Sequence, residues 1–267
     1  MDQRDTGVVL RKAYGGTGGA CGVFSPKVAD YLASRPGYPP GLFEELCRRC
    51  PPSASALVLD IGAGTGLLTE GLLRCGYPVL AVEPNAEMRT AADRHLGQVA
   101  GYRSVAGRAE ALPVADGSAT LVAAAQAGHW FEPDGARREF HRVLRPGGQI
   151  ALIWNDRVEE DPLHQALDEI FAAFGGERRA ALVDHEEHRE VSRYFSGREP
   201  EPLTWPSAHR LDRDGLLSLV HSRSYIPARD SDQAPELARR VGRVFERLAE
   251  GGSVLVRYCT VAYIGGN

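Results

Sequence analysis

The sequence predicts an α/β protein, a mostly parallel sheet covered by helices on both faces. Three observations carry this. Short apolar runs alternate with helical stretches from Leu57 onward. The runs are apolar at successive positions, as strands buried on both faces are. A glycine-rich turn, Gly62-Ala63-Gly64-Thr65-Gly66, stands where the first strand hands over to the first helix of the alternation.

Taken in order, Leu57 to Ile61 is a strand by its β-branched content and its glycine stop, and Pro78 to Glu83 is the second. Tyr102 to Ala106, Thr120 to Ala125 and Gln149 to Trp154 supply the third, fourth and fifth. Between them, Leu67 to Cys75, Ala86 to Leu96, a short Ala109 to Leu112 segment and Ala136 to Val143 read as helices, with Leu42 to Cys50 as a helix upstream. After Asn155 the pattern changes: Pro162 to Phe174 and Arg178 to Tyr194 are helical, and Leu203 to Leu211 is extended. Asp212 is the N-cap of a helix to Ser222, and Pro235 sits in the first turn of a helix to Glu250. Ser253 to Tyr263 alternates like a strand with one wet face. The two late strands extend the sheet to seven. The expected organisation is an N-terminal cap over residues 1–45 and one domain over 46–267, with a helical insertion at about 160–200.

Composition excludes several classes. The chain has 267 residues, 31 Lys+Arg against 35 Asp+Glu, and 43% hydrophobic residues, enough for a sizeable core. A net charge of -4 gives no electrostatic reason to expect nucleic acid or an anionic membrane as partner. Only Lys12 and Lys27 among the basic residues are lysines, a bias that says little about function. The five cysteines, Cys21, Cys47, Cys50, Cys75 and Cys259, lack the paired spacings of a secreted disulfide framework. The segment Met1 to Gly16 has no apolar core of a signal peptide, and no apolar run approaches a membrane span. A cytoplasmic protein is expected. Cys47 and Cys50 form a CxxC on a helix without a second pair, and His185 and His188 stand in a charged run, so no metal site is expected.

The chemistry concentrates at the glycine turn. Glycines there let the backbone bend sharply and let a ligand lie against main-chain atoms, while the free N–H groups of the helix start face it. The spacing is GxGxG, whereas a nicotinamide enzyme calls for GxGxxG. Glu83 ends the second strand, beside that turn if the strands share a rim, where a carboxylate can accept from both hydroxyls of a ribose. A solvated strand-end acid is the plainer alternative.

In these motifs the chain resembles the class I S-adenosylmethionine-dependent methyltransferases, in particular their small-molecule branch, the methyltransferase type 11 group. The resemblance rests on LDIGAGTGLLT (Leu59 to Thr69), AVEPNAEM (Ala81 to Met88), AGRAEALPVADGSATLV (Ala106 to Val122), AQAGHWF (Ala125 to Phe131) and REFHRVLRPGGQIALIWND (Arg138 to Asp156). The upstream YLASRPGYP (Tyr31 to Pro39) is similar to the entry segment of enzymes related to trans-aconitate methyltransferase.

The resemblance implies a three-layer Rossmann-like methyltransferase fold with a seven-stranded, mostly parallel sheet and helices on both faces. It implies S-adenosyl-L-methionine as cofactor, with Gly62, Gly64 and Gly66 along its methionine and adenosine portions, Asp60 near the ammonium group and Glu83 on the ribose hydroxyls. It further implies Asn85 and Met88 flanking the adenine, Ala109 and Glu110 at its ring edge, and Gln126 with Ala127 beside the sulfonium. Arg108 stands where many relatives have an acid. The (D/N)PPY motif of nucleic-acid amino methyltransferases is replaced by Ala125-Gln126-Ala127-Gly128, which points away from nucleic acid and toward a small-molecule substrate.

Methyl transfer needs alignment and exclusion of water more than a base. His129 and Trp130 follow the loop after the fourth strand, placed to orient or deprotonate an acceptor and to pack on it; packing under the cap is the alternative. Asn155 ends the fifth strand at the same rim, pointing into the substrate space or capping a helix. Arg35 and Tyr38 in the entry segment, with Arg223 and Tyr225 in HSRSYIP, are candidate substrate residues, since arginine suits a carboxylate by its bidentate fork. Tyr14 and Phe24 are candidates for closing the pocket. Two other uses of the same pocket remain open: a non-methylating reaction, in which the cofactor cyclises with release of methylthioadenosine or assists a cyclase, and cofactor binding without turnover.

Overall fold

A computed structural model describes residues 25–183, 191–195 and 200–266. Seven strands form one sheet in the order β3-β2-β1-β4-β5-β7-β6: β1 (Val58–Ile61), β2 (Val79–Val82), β3 (Tyr102–Val105), β4 (Ala119–Ala125), β5 (Leu144–Arg157), β6 (Leu203–Leu211) and β7 (Val254–Gly266). The pairs β1·β2, β1·β4, β2·β3 and β4·β5 are parallel, with Asp60 opposite Ala81 and Ala123. The helices are α1 (Val28–Ser34), α2 (Pro40–Arg49), α3 (Leu67–Arg74), α4 (Ala86–Leu96), α5 (Pro133–Val143), α6 (Pro162–Phe174), α7 (Gly176–Val183), α8 (Arg213–His221) and α9 (Ala234–Leu248). Among the described residues no helix is long and apolar enough to cross a membrane.

The chain forms two compact units. The sheet unit comprises Gly37–Asn155 with the described residues of Glu187–Trp205 and Thr260–Asn267. All four residues of β1 are buried, and the core joins Val58, Leu72, Val79, Leu121, Ile153 and Ile264. Strand order reverses between β1 and β4, which opens a crevice at their carboxyl ends, the usual ligand site of such sheets. The expected boundary at residues 45 and 46 falls inside α2, whose Leu42 and Leu46 are fully buried in this core.

The helical unit comprises the described residues of Met1–Pro36 and Asp156–Glu186 together with Pro206–Cys259. Its core joins Leu167, Ile170 and Phe171 of α6 to Leu216 and Leu219 of α8, Leu237 and Val241 of α9, and Tyr258. Local chemistry sets the helix starts. Asp161 accepts from the N–H of Leu163 at 2.9 Å, and Asp212 accepts from the N–H of Gly215 at 2.8 Å, as its expected N-cap role requires.

Three elements differ from the sequence reading. β5 begins at Leu144, before the expected Gln149, because the pairing steps from Ala119↔Leu144 to Leu121↔Gln149 and the intervening Arg145 to Gly148 bulge out. Gly147, at φ 77°, makes that bulge sterically cheap. Ala109 to Leu112 is no helix: Arg108 and Ala111 pair as an isolated antiparallel bridge, and Glu139 of α5 accepts the N–H of Leu112 at 2.7 Å. The expected helix from Arg178 to Tyr194 is α7 at its start and a 3-10 turn over Val191–Tyr194 at its end; residues 184–190 lie outside the described residues.

Candidate cofactor and substrate sites

The turn from β1 to α3 is shaped by three left-handed glycines, Gly62 (φ 69°), Gly64 (φ 58°) and Gly66 (φ 90°). Their reasons differ. A Cβ on Gly62 would lie 2.7 Å from the Cβ of Ala127, and one on Gly66 2.7 Å from Cδ1 of Leu96, so both are held by close packing as well as by φ. A Cβ on Gly64 would meet nothing nearer than the Gly62 carbonyl at 4.0 Å. Gly64 therefore presents bare backbone to open space. The loop is tied to the next strand by the Gly62 N–H donating to Val82 O at 2.8 Å, and the Thr65 hydroxyl is buried with no hydrogen-bond partner among the described residues.

Two carboxylates end the neighbouring strands. Glu83 is 8% exposed; its Oε2 accepts from the Gly64 N–H and its Oε1 from the Asn85 N–H, both at 2.8 Å. A carboxylate has about four lone-pair sites, so acceptor capacity remains after these two bonds. Burial pushes the Glu83 carboxyl up, and the two backbone N–H bonds pull it back down. Asp60 is 1% exposed and accepts from the Thr69 hydroxyl at 2.5 Å, which fixes the first turn of α3 to β1. Burial pushes its carboxyl up to about 7, the Thr69 bonds oppose that, and the Glu83 charge adds to it.

Asn85 caps α4, its Oδ1 accepting from the Met88 N–H at 2.8 Å, so these two residues form one unit with Met88 buried beneath. Ala109 is buried. Glu110 accepts from the Glu132 N–H at 2.8 Å, and Glu132 in turn caps α5 through the N–H groups of Asp134 and Gly135. Part of the Glu110 carboxylate is thus spent on holding the loop before α5.

At the end of β4, Gln126 has φ 56°, alone among the described non-glycine residues in lying in the left-handed region. Its N–H donates to Ile153 O at 2.9 Å and its side chain to Asn155 O at 3.3 Å. His129 and Trp130 follow in a 3-10 turn, half-buried, with ring centroids 5.2 Å apart. Both ends of the Asn155 amide are engaged: Nδ2 donates to Gly37 O at 3.3 Å, and Oδ1 accepts from the Thr260 hydroxyl at 2.6 Å. Asn155 lies within β5 and caps no helix.

Of the expected substrate residues, the structure brings Arg35, Arg223 and Tyr225 into the helical unit, where Arg35 donates to Ser222 beside Arg223, and Tyr225 lies edge-on to Phe171. Tyr38 instead packs on the sheet-unit core, in a groove with Phe43, Cys47, Gly71 and Cys75. Tyr14 and Phe24, like the His185 and His188 pair, lie outside the described residues. Cys50 is buried against Thr120 O at 3.9 Å, whereas its CxxC partner Cys47 lines the groove, so the two thiols serve different surroundings. Among the described residues no group of three or more His, Cys, Asp or Glu is suited to hold a metal. The Thr65 hydroxyl, buried with no hydrogen-bond partner among the described residues, leaves no mark on residue spacing in the sequence.

Residues 59–152 match the family described as a methyltransferase domain. The chain is 34% identical over 247 residues to an uncharacterised methyltransferase of Mycobacterium tuberculosis, covering 89% of this chain and 93% of that one. It is 33% identical over 248 residues to an uncharacterised methyltransferase-like protein of Schizosaccharomyces pombe, covering 90% of this chain and 93% of the relative. The solved structure of a protein assigned as a type II methyltransferase from Anaeromyxobacter dehalogenans shares the fold, with a TM-score of 0.64 at 24% identity over 87% of this chain and 97% of that one.

Proposed function

The chain belongs to the class I S-adenosylmethionine-dependent methyltransferases, and on that premise we propose that its crevice at β1, β2 and β4 directs the methyl group to an oxygen, nitrogen or carbon of a small molecule. The observation that carries this reading is Glu83, buried at the rim with spare acceptor capacity and bonded to the one loop glycine whose face is open.

The residues present fit the cofactor. Gly64 offers a cradle that any side chain would fill, and the buried Thr65 hydroxyl supplies an uncommitted polar atom in the same loop. Glu83 accepts from the ribose hydroxyls while remaining locked to Gly64 and Asn85. Asp60 contributes negative charge at the ammonium end, and a cation there favours its ionised form. Met88, set by the Asn85 cap, and Ala109 give the adenine apolar neighbours, with Glu110 at its edge. When bound, the sulfonium supplies an electrophilic methyl group.

The chain's remaining task is alignment. Gln126 is held in its left-handed conformation by Ile153 and Asn155, and we assign it to the methyl-donor side of the crevice. His129 and Trp130 orient the acceptor and keep water out. Asn155 acts as a positioning residue, steadying Gln126 through its carbonyl. The free thiols Cys47, Cys50 and Cys75 support a reducing, cytoplasmic setting.

Calorimetric titration of S-adenosyl-L-methionine into the parent and Glu83→Ala proteins tests the site. An assay of S-adenosylhomocysteine release over small acids, phenols and amines tests the reaction. Absence of cofactor binding, or methylthioadenosine formed without an acceptor, overturns the reading.

A further inference from the structure

We propose that the helical unit carries a binding site for the oxyanion of a small molecule, a carboxylate or a phosphate, clasped by Arg35 and Arg223 and completed by the Tyr258 hydroxyl. The inference goes beyond the proposed function, because it assigns the helical unit a ligand of its own.

The Arg35 guanidinium is held by hydrogen bonds, and the backbone that carries Arg223 is held on both sides. Arg35 donates from Nε to the Ser222 hydroxyl at 3.1 Å and from an η nitrogen to Ser222 O at 3.4 Å, so it is anchored to the residue preceding Arg223. Lys27 brackets the same segment, its Nζ donating to His221 O at 2.8 Å and to Ile226 O at 2.9 Å. Other arginines of this unit hold carboxylates: Arg229 with Asp30, Arg157 with Asp168 and Arg257 with Asp161. Arg35 has no ion pair among the described residues, and the serine contacts occupy only part of its five-donor fork. Burial and the like charge of Arg223 both work against protonated Arg35, a cost that a bound anion removes.

Tyr258 points to a ligand independently. It is 3% exposed, and its hydroxyl has no hydrogen-bond partner among the described residues. A buried hydroxyl left unpaired loses its water without gaining a partner, so a partner from outside the chain is favoured. The ring is clamped by His209, stacked at 5.8 Å, and by His164, edge-on at 5.5 Å, which leaves the hydroxyl little freedom to turn elsewhere. Arg223, Arg35 and Arg157 all act electrostatically on the Tyr258 hydroxyl. Phe171 supplies an apolar wall, with Arg157 and Arg223 over its ring at 5.6 Å and 5.8 Å and Tyr225 against its edge. An anionic head with a carbon body matches both halves of this lining.

Calorimetry on the full chain, with succinate, benzoate and inorganic phosphate as probes, tests the site. Saturable binding of at least one probe is expected, weakened about tenfold or more in Arg223→Gln and roughly threefold to tenfold in Tyr258→Phe. The surface variant Arg247→Gln is expected to leave binding unchanged. Phosphate binding without either carboxylate identifies the site as a phosphate site; the converse identifies a carboxylate site. Binding of none of the probes, or binding that Arg223→Gln and Tyr258→Phe both leave intact, overturns the inference. Titration of S-adenosyl-L-methionine into the same variants reads the cofactor site separately: intact cofactor binding with no oxyanion binding rejects this inference alone, whereas failure of cofactor binding in the parent rejects the proposed function.

Discussion

Glu83 and Gly64, from consecutive strand ends, meet at 2.8 Å, the carboxylate accepting the N–H of the one loop glycine with an open face. The bond makes the acid part of the loop's own scaffold, so removing it affects both the ligand contact and the loop. Glu83→Ala is expected to weaken S-adenosyl-L-methionine binding by about 2–4 kcal/mol, since charge-assisted bonds contribute about 1.5–3 kcal/mol each. Glu83→Gln, whose amide can accept at one oxygen only, is expected to fall between. Calorimetric dissociation constants decide; equal affinity in all three proteins rejects the assignment.

The glycines of the loop separate packing from binding. Gly64→Ala meets open space and carries only the left-handed backbone cost, roughly 1–2 kcal/mol of stability. Gly62→Ala adds a 2.7 Å encounter with Ala127 and is expected to cost about 2–5 kcal/mol. Cofactor affinity should nevertheless fall sharply in Gly64→Ala, because its new methyl fills the cradle. Denaturant melts beside titrations check this; a Gly64→Ala protein that binds normally contradicts the placement.

Much of this half of the molecule is legible in the sequence because β1, β2 and β4 are buried on both faces, so their apolar runs are continuous, and because left-handed turns select glycine. The bulge at Arg145 to Gly148 reads as a loop before a strand, since proline and glycine disfavour pairing, yet Leu144 already pairs with Ala119. Ala109 to Leu112 has helical composition, but contact with Glu139 and the Arg108–Ala111 bridge override it. The Arg35, Arg223 and Tyr258 grouping draws on three distant segments, and no local period records that they converge.

Asp60 links pH to stability. Its carboxyl is raised from 3.8 to about 7, chiefly by burial. Between those values the folded chain holds a proton that the unfolded chain has released, so this group's contribution to stability falls as pH rises from 3.8 to about 7 and is flat above. The size is on the order of a few kcal/mol. Asp60→Asn stays neutral and loses that slope. Unfolding free energies from pH 4.5 to pH 8 should therefore shift in favour of Asp60→Asn up to about pH 7 and then run parallel to the parent; a constant difference refutes it.

Gln126 tests whether strain is kept for function. A non-glycine residue at φ 56° costs roughly 1–2 kcal/mol, and the Ile153 and Asn155 bonds hold it there. Gln126→Gly releases the strain but loses the side-chain bond and gains unfolded-state freedom, so its stability should stay within about 1 kcal/mol of the parent. Gln126→Ala keeps the strain without the bond and should be the less stable of the two. If the side chain serves alignment in the crevice, both variants lose kcat by roughly tenfold while their cofactor affinity is preserved. A Gln126→Gly protein with parental kcat would make the left-handed glutamine a feature of folding alone.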